Sequence, residues 1–107
     1  MMPKTSHLNI FIMHLILKEG MSGADIRSRL SLVESRARTT GAFYQLMGRM
    51  EEQYFVMSSY RRRQVGSYVC RETYYFLTKE GRKVLDDAFS FYADMEKERK
   101  MVQLCPR

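Results

Sequence analysis

Few of the side chains in this 107-residue chain that can carry bond-making chemistry stand together. Cys70 and Cys105 are the only cysteines, His7 and His14 the only histidines, and the four are spread through the chain. A structural zinc site needs four ligands at tight spacing, which this set does not offer. The paired carboxylates Glu51–Glu52 and Asp86–Asp87 fall in helical patterns where a solvated role suffices. No glycine-rich loop is placed to cradle phosphate, and no Ser, His and Asp are brought near one another. The expectation is a protein that is not an enzyme and needs no cofactor or metal. What does cluster is cationic: Arg36 and Arg38, then Arg49, then the run Arg61, Arg62, Arg63, then Arg71. Guanidinium groups interleaved with hydroxyls and amides suit phosphate oxygens and base edges.

The balance of charge agrees. Net charge is +6, which favours an anionic partner such as double-stranded DNA. The length fits one domain with a modest core, so burial against a second chain is expected to help. The sequence has no secretory leader pattern and no apolar run of membrane length; the greasiest stretch, IFIMHLILK, is short and holds His14. Free thiols in a reducing cytoplasm, away from any membrane, are the matching expectation, with a redox role for Cys70 or Cys105 left open.

The elements that must position the cations can be read in order. A first helix is predicted from Ser6 to about Glu19, stopped by Gly20. It is apolar on several sides, which suits a helix buried between its own core and a partner. A second helix starts at Ser22, which has capping-box spacing to Asp25, and turns Ile26 and Leu30 inward. Leu32 and Val33 are expected to pack, with Arg36 and Arg38 exposed. A third helix, capped by Thr39 or Thr40 and ending near Gln53, puts Phe43, Leu46, Met47 and Met50 on one face. Its opposite face carries Gly41, Gln45, Gly48, Arg49 and Glu52. Two exposed helical glycines cost about 1 kcal/mol each, so a bare face needs a reason.

Beyond it, VMSSYRRR and RETYYFL read as strands joined by a hairpin tip at Gly66. Strand alternation sends Arg61 and Arg63 to one side and Arg62 to the other unless the strand has ended. Tyr75 and Leu77 share one face, Tyr74 and Phe76 the other. Thr78 then caps a long last helix whose Val84, Ala88, Phe91 and Met95 repeat at heptad-like spacing. Leu85 and Tyr92 widen that stripe, and Pro106 lies past its end.

Three helices and a β-hairpin in this order describe a winged helix-turn-helix, here followed by a long C-terminal helix. The fold class is mainly α with a small β-hairpin. Residues 1–77 form the DNA-binding unit and 78–107 the dimerisation helix and tail. In such folds the third helix enters the major groove with its N-terminal residues at the base edges. The bare glycine face would let the helix backbone approach the duplex.

Three segments resemble the PadR family of transcriptional regulators. LILKEGMSGADIRSRL is similar to its first two helices through Gly20, Gly23 and Ile26. GAFYQLMGRMEEQYFV is similar to its third-helix signature through Gly41, Tyr44, Met47, Arg49, Met50, Glu51 and Val56. YYFLTKEGRKVL matches its return strand and last-helix start through Tyr75, Leu77, Thr78, Gly81 and Leu85. The chain departs where the family has Gly and this sequence has Tyr54, so a different end to the third helix is expected. It also lacks tryptophan, against an aromatic drug-stacking site of the kind some relatives have.

The resemblance implies a homodimer that binds an inverted-repeat operator and represses transcription. DNA contact is expected from Arg36, Arg38, Thr39, Thr40, Tyr44, Gln45, Arg49, Arg61, Arg62, Arg63 and Arg71, with Gln45 suited to adenine. The alternative for Tyr44 is packing on the second helix, and for Arg49 a salt bridge to Glu52. Dimerisation is expected from Phe11, Leu15, Val84, Ala88, Phe91, Tyr92 and Met95. A small apolar or aromatic effector lined by Met13, Phe89, Phe91 and Tyr92 is the weaker expectation, plain core the stronger one. The competing reading of the whole chain is a winged-helix protein-interaction module without specific DNA binding.

Overall fold

Hydroxyl side chains set the helix starts. The computed structural model describes residues 5–36 and 38–104. Within it, Ser6 caps α1 (His7–Leu15), Ser22 caps α2 (Gly23–Ser31) and Thr39 caps α3 (Thr40–Glu52). Each hydroxyl accepts from the backbone N–H three residues on, at 3.1–3.2 Å, filling one of the helix's free donors. Thr78 does the same for α4 (Lys79–Leu104), accepting from the Gly81 N–H at 2.9 Å.

The predicted hairpin is present. Strands β2 (Val56–Val65) and β3 (Tyr68–Leu77) pair antiparallel in unbroken register from Val56 opposite Leu77 to Val65 opposite Tyr68. A two-residue turn joins them, with Gly66 at φ 60. That left-handed first position is where glycine is needed in a tight hairpin turn. A third strand was not anticipated. Met21–Ser22 (β1) pairs with Tyr75 and Tyr74 on the other edge of β3, giving sheet order β1-β3-β2. The chain must leave α1 early to reach that edge, so α1 ends at Leu15 rather than near Glu19.

Every element contributes to one core. Ile12, Met13 and Ile16 meet Ile26 and Leu30 of α2, Phe43, Met47 and Met50 of α3, Val56 and Tyr75 of the sheet, and Leu85 and Ala88 of α4. The inward stripe of α3 is as read, with Leu46 partly buried beside it. Two expectations fail. Leu32 and Val33 are 79% and 61% exposed, because the turn after α2 carries them away from the core that Ile26 and Leu30 reach. Ala88 is fully buried by its own protomer, so it has no surface to offer a partner.

The end of α3 also differs from expectation. Gln53 ends the helix and Tyr54 follows in the left-handed region at φ 63. The Phe55 N–H bonds to the Met50 carbonyl and the Tyr54 N–H to the Glu51 carbonyl, both at 3.0 Å. This is a Schellman closure, the form in which glycine normally sits at the Tyr54 position. The chain keeps the glycine geometry and carries the strain of a side chain.

Candidate nucleic-acid interface

The outward face of α3 is bare. Gly41 and Gly48 have open space where a Cβ would stand, with no heavy atom within 4 Å. Gln45 and Arg49 beside them are exposed, and among the described residues Arg49 has no salt-bridge partner, Glu52 included. Thr39 and Thr40 are exposed at the helix start, where unpaired backbone N–H groups suit an anion. Tyr44 is 41% exposed, and its ring stands against the Gly23 position of α2, leaving the space a larger side chain there would take filled. It also meets Phe43 edge-on at 5.0 Å. Tyr44 therefore packs on the second helix along one side and is open along the other.

The flanking arginines are held differently. Arg36 is exposed, whereas Arg38 is partly buried and bonds Glu34 at 3.1 Å. In the wing, β2 runs unbroken to Val65, so the three arginines alternate as a strand dictates. Arg61 lies over the Tyr74 ring at 4.2 Å and near Phe76 at 5.7 Å. Arg63 reaches Glu72 at 3.4 Å. The other side of the ribbon carries Arg62, directly opposite Arg71, whose guanidinium sits 4.6 Å from the Tyr60 ring. Cys70 is an exposed free thiol opposite Arg63; Cys105 and Pro106 lie outside the described residues.

The sheet face next to α3 is identified by its bonds. Ser58 donates to Glu51 of α3 at 2.7 Å. Tyr75, on the same strand face as Ser58, has its hydroxyl pKa pushed up to about 12 by burial first, then by the nearby Tyr44, Glu51 and Tyr60.

A second surface lies along α1 and α4. His7 bonds the Tyr92 hydroxyl, and His14 meets Phe89 edge-on at 5.5 Å. With Ile10 and Phe11 they line a groove of about 350 Å³. Phe11, Leu15, Val84, Phe91 and Tyr92 are partly buried, and Met95 is 51% exposed. Met13 is fully buried in the core and is not among the residues that line this groove, whereas Phe89 and Tyr92 are. Past Tyr92, α4 carries Met95, Met101 and Val102 into solvent. Among the described residues no helix is long and apolar enough to cross a membrane, and no three His, Cys, Asp or Glu side chains gather as metal ligands.

No family model and no curated protein matches this chain. Solved structures do. A PadR family transcription regulator from Clostridium difficile superposes with a TM-score of 0.73 at 23% identity, over 90% of this chain and 97% of that one. A PadR-like transcriptional regulator from Bacillus cereus gives 0.69 at 17% identity, over 92% and 93%. Bacillus subtilis PadR, solved in complex with operator DNA, gives 0.58 at 24% identity, over 76% of this chain and 45% of its own. The chain has the winged-helix fold of these regulators, long C-terminal helix included.

Proposed function

We propose that this protein is a PadR-family transcriptional regulator that binds DNA in a sequence-specific way, as a homodimer on an inverted-repeat operator, and represses transcription there. The observation that carries the reading is the outward face of α3. A helix that leaves Gly41 and Gly48 uncovered, at a cost in helix stability, is built for something to come close to its backbone. Gln45 and Arg49 border that strip. An amide can pair with adenine and a guanidinium with guanine or phosphate, so the strip is equipped to read a major groove. The cationic wing stands beside it, and a net charge of +6 draws the whole toward a polyanion. The fold shared with a regulator solved on its operator supports the same use.

The homodimer is supported by α4. Its first turns serve the local core through Leu85 and Ala88, but its 26 residues run about 39 Å and outlast that core. The apolar side chains beyond Tyr92, continuous with the α1–α4 groove, suit a second copy of the same chain. Two reading helices related by a two-fold axis would then require two inverted half-sites.

Selection of bound sequences from a random duplex pool tests the proposal. An inverted repeat with two half-sites about one helical turn apart, or a multiple of it, is the expected outcome. Binding without any enriched sequence would instead fit a nonspecific architectural role, and no binding at low salt would leave a protein-docking module.

A further inference from the structure

We propose that the wing meets DNA with one face only, through the cross-strand pair Arg62 and Arg71, while Arg61 and Arg63 brace the ribbon. The inference rests on the DNA-binding reading above and adds which cations touch phosphate.

The register places Arg62 directly opposite Arg71. Side chains opposed in an antiparallel pair lie about 4.5–5.5 Å apart at Cβ, and like charges in that position destabilise the ribbon. Neighbouring pairs avoid this: Arg61 faces Glu72, and Arg63 bonds the same carboxylate at 3.4 Å. Among the described residues, neither Arg62 nor Arg71 has an ion-pair partner. Arg71 is instead steadied over Tyr60, which holds the guanidinium in place without neutralising it. The fold thus keeps two cations without ion-pair partners directly opposite each other on this ribbon.

Their side of the ribbon is the reading helix's side. Alternation puts Arg62 on the face of Ser58 and Tyr60, and Arg71 on the face of Thr73 and Tyr75. Ser58 is bonded to Glu51 of α3, so this face continues the surface on which α3 lies. Arg61 and Arg63 lie on the opposite strand face, where Tyr74, Phe76 and Glu72 engage them, and Arg63 with its carboxylate partner Glu72 borders the cavity that Tyr44 and Arg71 also line. A duplex lying along the bare face of α3 first meets Arg62 and Arg71, whose cross-strand neighbours are each other, whereas Arg61 and Arg63 flank the carboxylate of Glu72.

The test compares Arg62→Gln/Arg71→Gln with Arg61→Gln/Arg63→Gln in the full chain, measuring affinity for a random duplex across a salt series. The first pair is expected to lower the slope of log affinity against log salt by about 0.9 to 1.8 per protomer, one or two phosphate contacts. The second is expected to leave the slope unchanged. Arg62→Gln alone gives an independent readout: relief of the repulsion raises the melting temperature by about 1–4 °C while duplex affinity falls. A purely structural Arg62 would not move both in opposite directions. Equal loss of slope in both double variants, loss confined to Arg61 and Arg63, or no loss in either overturns the inference while the DNA-binding reading stands. Absence of salt-dependent binding by the unaltered protein overturns that reading and the inference with it.

Discussion

Replacing Tyr54 by glycine should stabilise this protein, a rare direction for a large-to-small substitution. Tyr54 sits at φ 63, where an L-residue's Cβ crowds the following carbonyl at a cost of about 1–2 kcal/mol. The ring repays little of that cost, being 73% exposed. The hydrogen bonds that close α3 use only backbone atoms of Met50, Glu51, Tyr54 and Phe55, so glycine keeps them. Against the relief stands glycine's greater freedom in the unfolded chain, about 0.5–1 kcal/mol. The balance favours Tyr54→Gly by about 0.5–1 kcal/mol, or some 3–6 °C in melting temperature for a domain near this size. Tyr54→Ala is the control, since it removes the same ring but keeps the Cβ and its strain; it should show no gain. Thermal melting followed by circular dichroism reads both, and urea titration checks that the m-value is unchanged. A Tyr54→Gly variant no more stable than Tyr54→Ala would refute the strain argument.

Tyr75 holds its proton to about pH 12 when folded but to about pH 10 when unfolded, so stability is full below pH 10 and falls as pH rises toward 12. The loss is roughly 2–3 kcal/mol, and Tyr75→Phe should show a flatter high-pH profile than the unaltered protein. Gly81→Ala should cost 2 kcal/mol or more on the order-of-magnitude scale of buried clashes, because its Cβ would overlap the Phe55 carbonyl and stand 2.7 Å from a Leu77 methyl. Gly48→Ala should do the reverse, stabilising α3 by about 1 kcal/mol while weakening duplex binding, read by melting and by fluorescence anisotropy. If the proposed dimer forms through α4, Met95→Glu should shift it to monomer in sedimentation velocity with little change in protomer folding, since Met95 is 51% exposed in the protomer.

Local physics was the legible part of the chain. A hydroxyl before an apolar period marks a helix start because it fills a free N–H, and Ser6, Ser22, Thr39 and Thr78 all do so. Gly66 marks the hairpin tip because its turn needs a positive φ. What escaped were features set by distant partners. Met21–Ser22 is too short for any period and is a strand only because β3 offers an edge. Leu32 and Val33 have core chemistry but sit on the wrong side of a turn whose direction no local signal gives. Ala88 has heptad spacing, yet the first turns of α4 face their own core before the seam is free for a partner. At the candidate interface, residue type picked out the arginines, but only the register separated Arg61 and Arg63, which flank Glu72, from Arg62 and Arg71, which face each other.

The joint between α3 and α4 ties these observations to mechanism. The Thr78 N–H bonds the Phe55 carbonyl at 3.1 Å, its hydroxyl reaches the Tyr54 and Phe55 carbonyls, and the same oxygen caps α4 through Gly81. The carbonyls leaving α3 are thus held by the residue that caps the long helix. Gly81 has no Cβ, which lets the two backbones approach this closely. In the proposed dimer α4 carries the partner, so this joint would fix how α3 is angled to the two-fold axis and hence the half-site spacing the pair accepts. Strain at Tyr54 sits in that same joint. Relief by Tyr54→Gly should therefore raise stability without widening the spacing selected from a random pool, because the bonds that set the angle run through backbone atoms and Thr78. A changed spacing would show that the tyrosine side chain itself helps hold the angle.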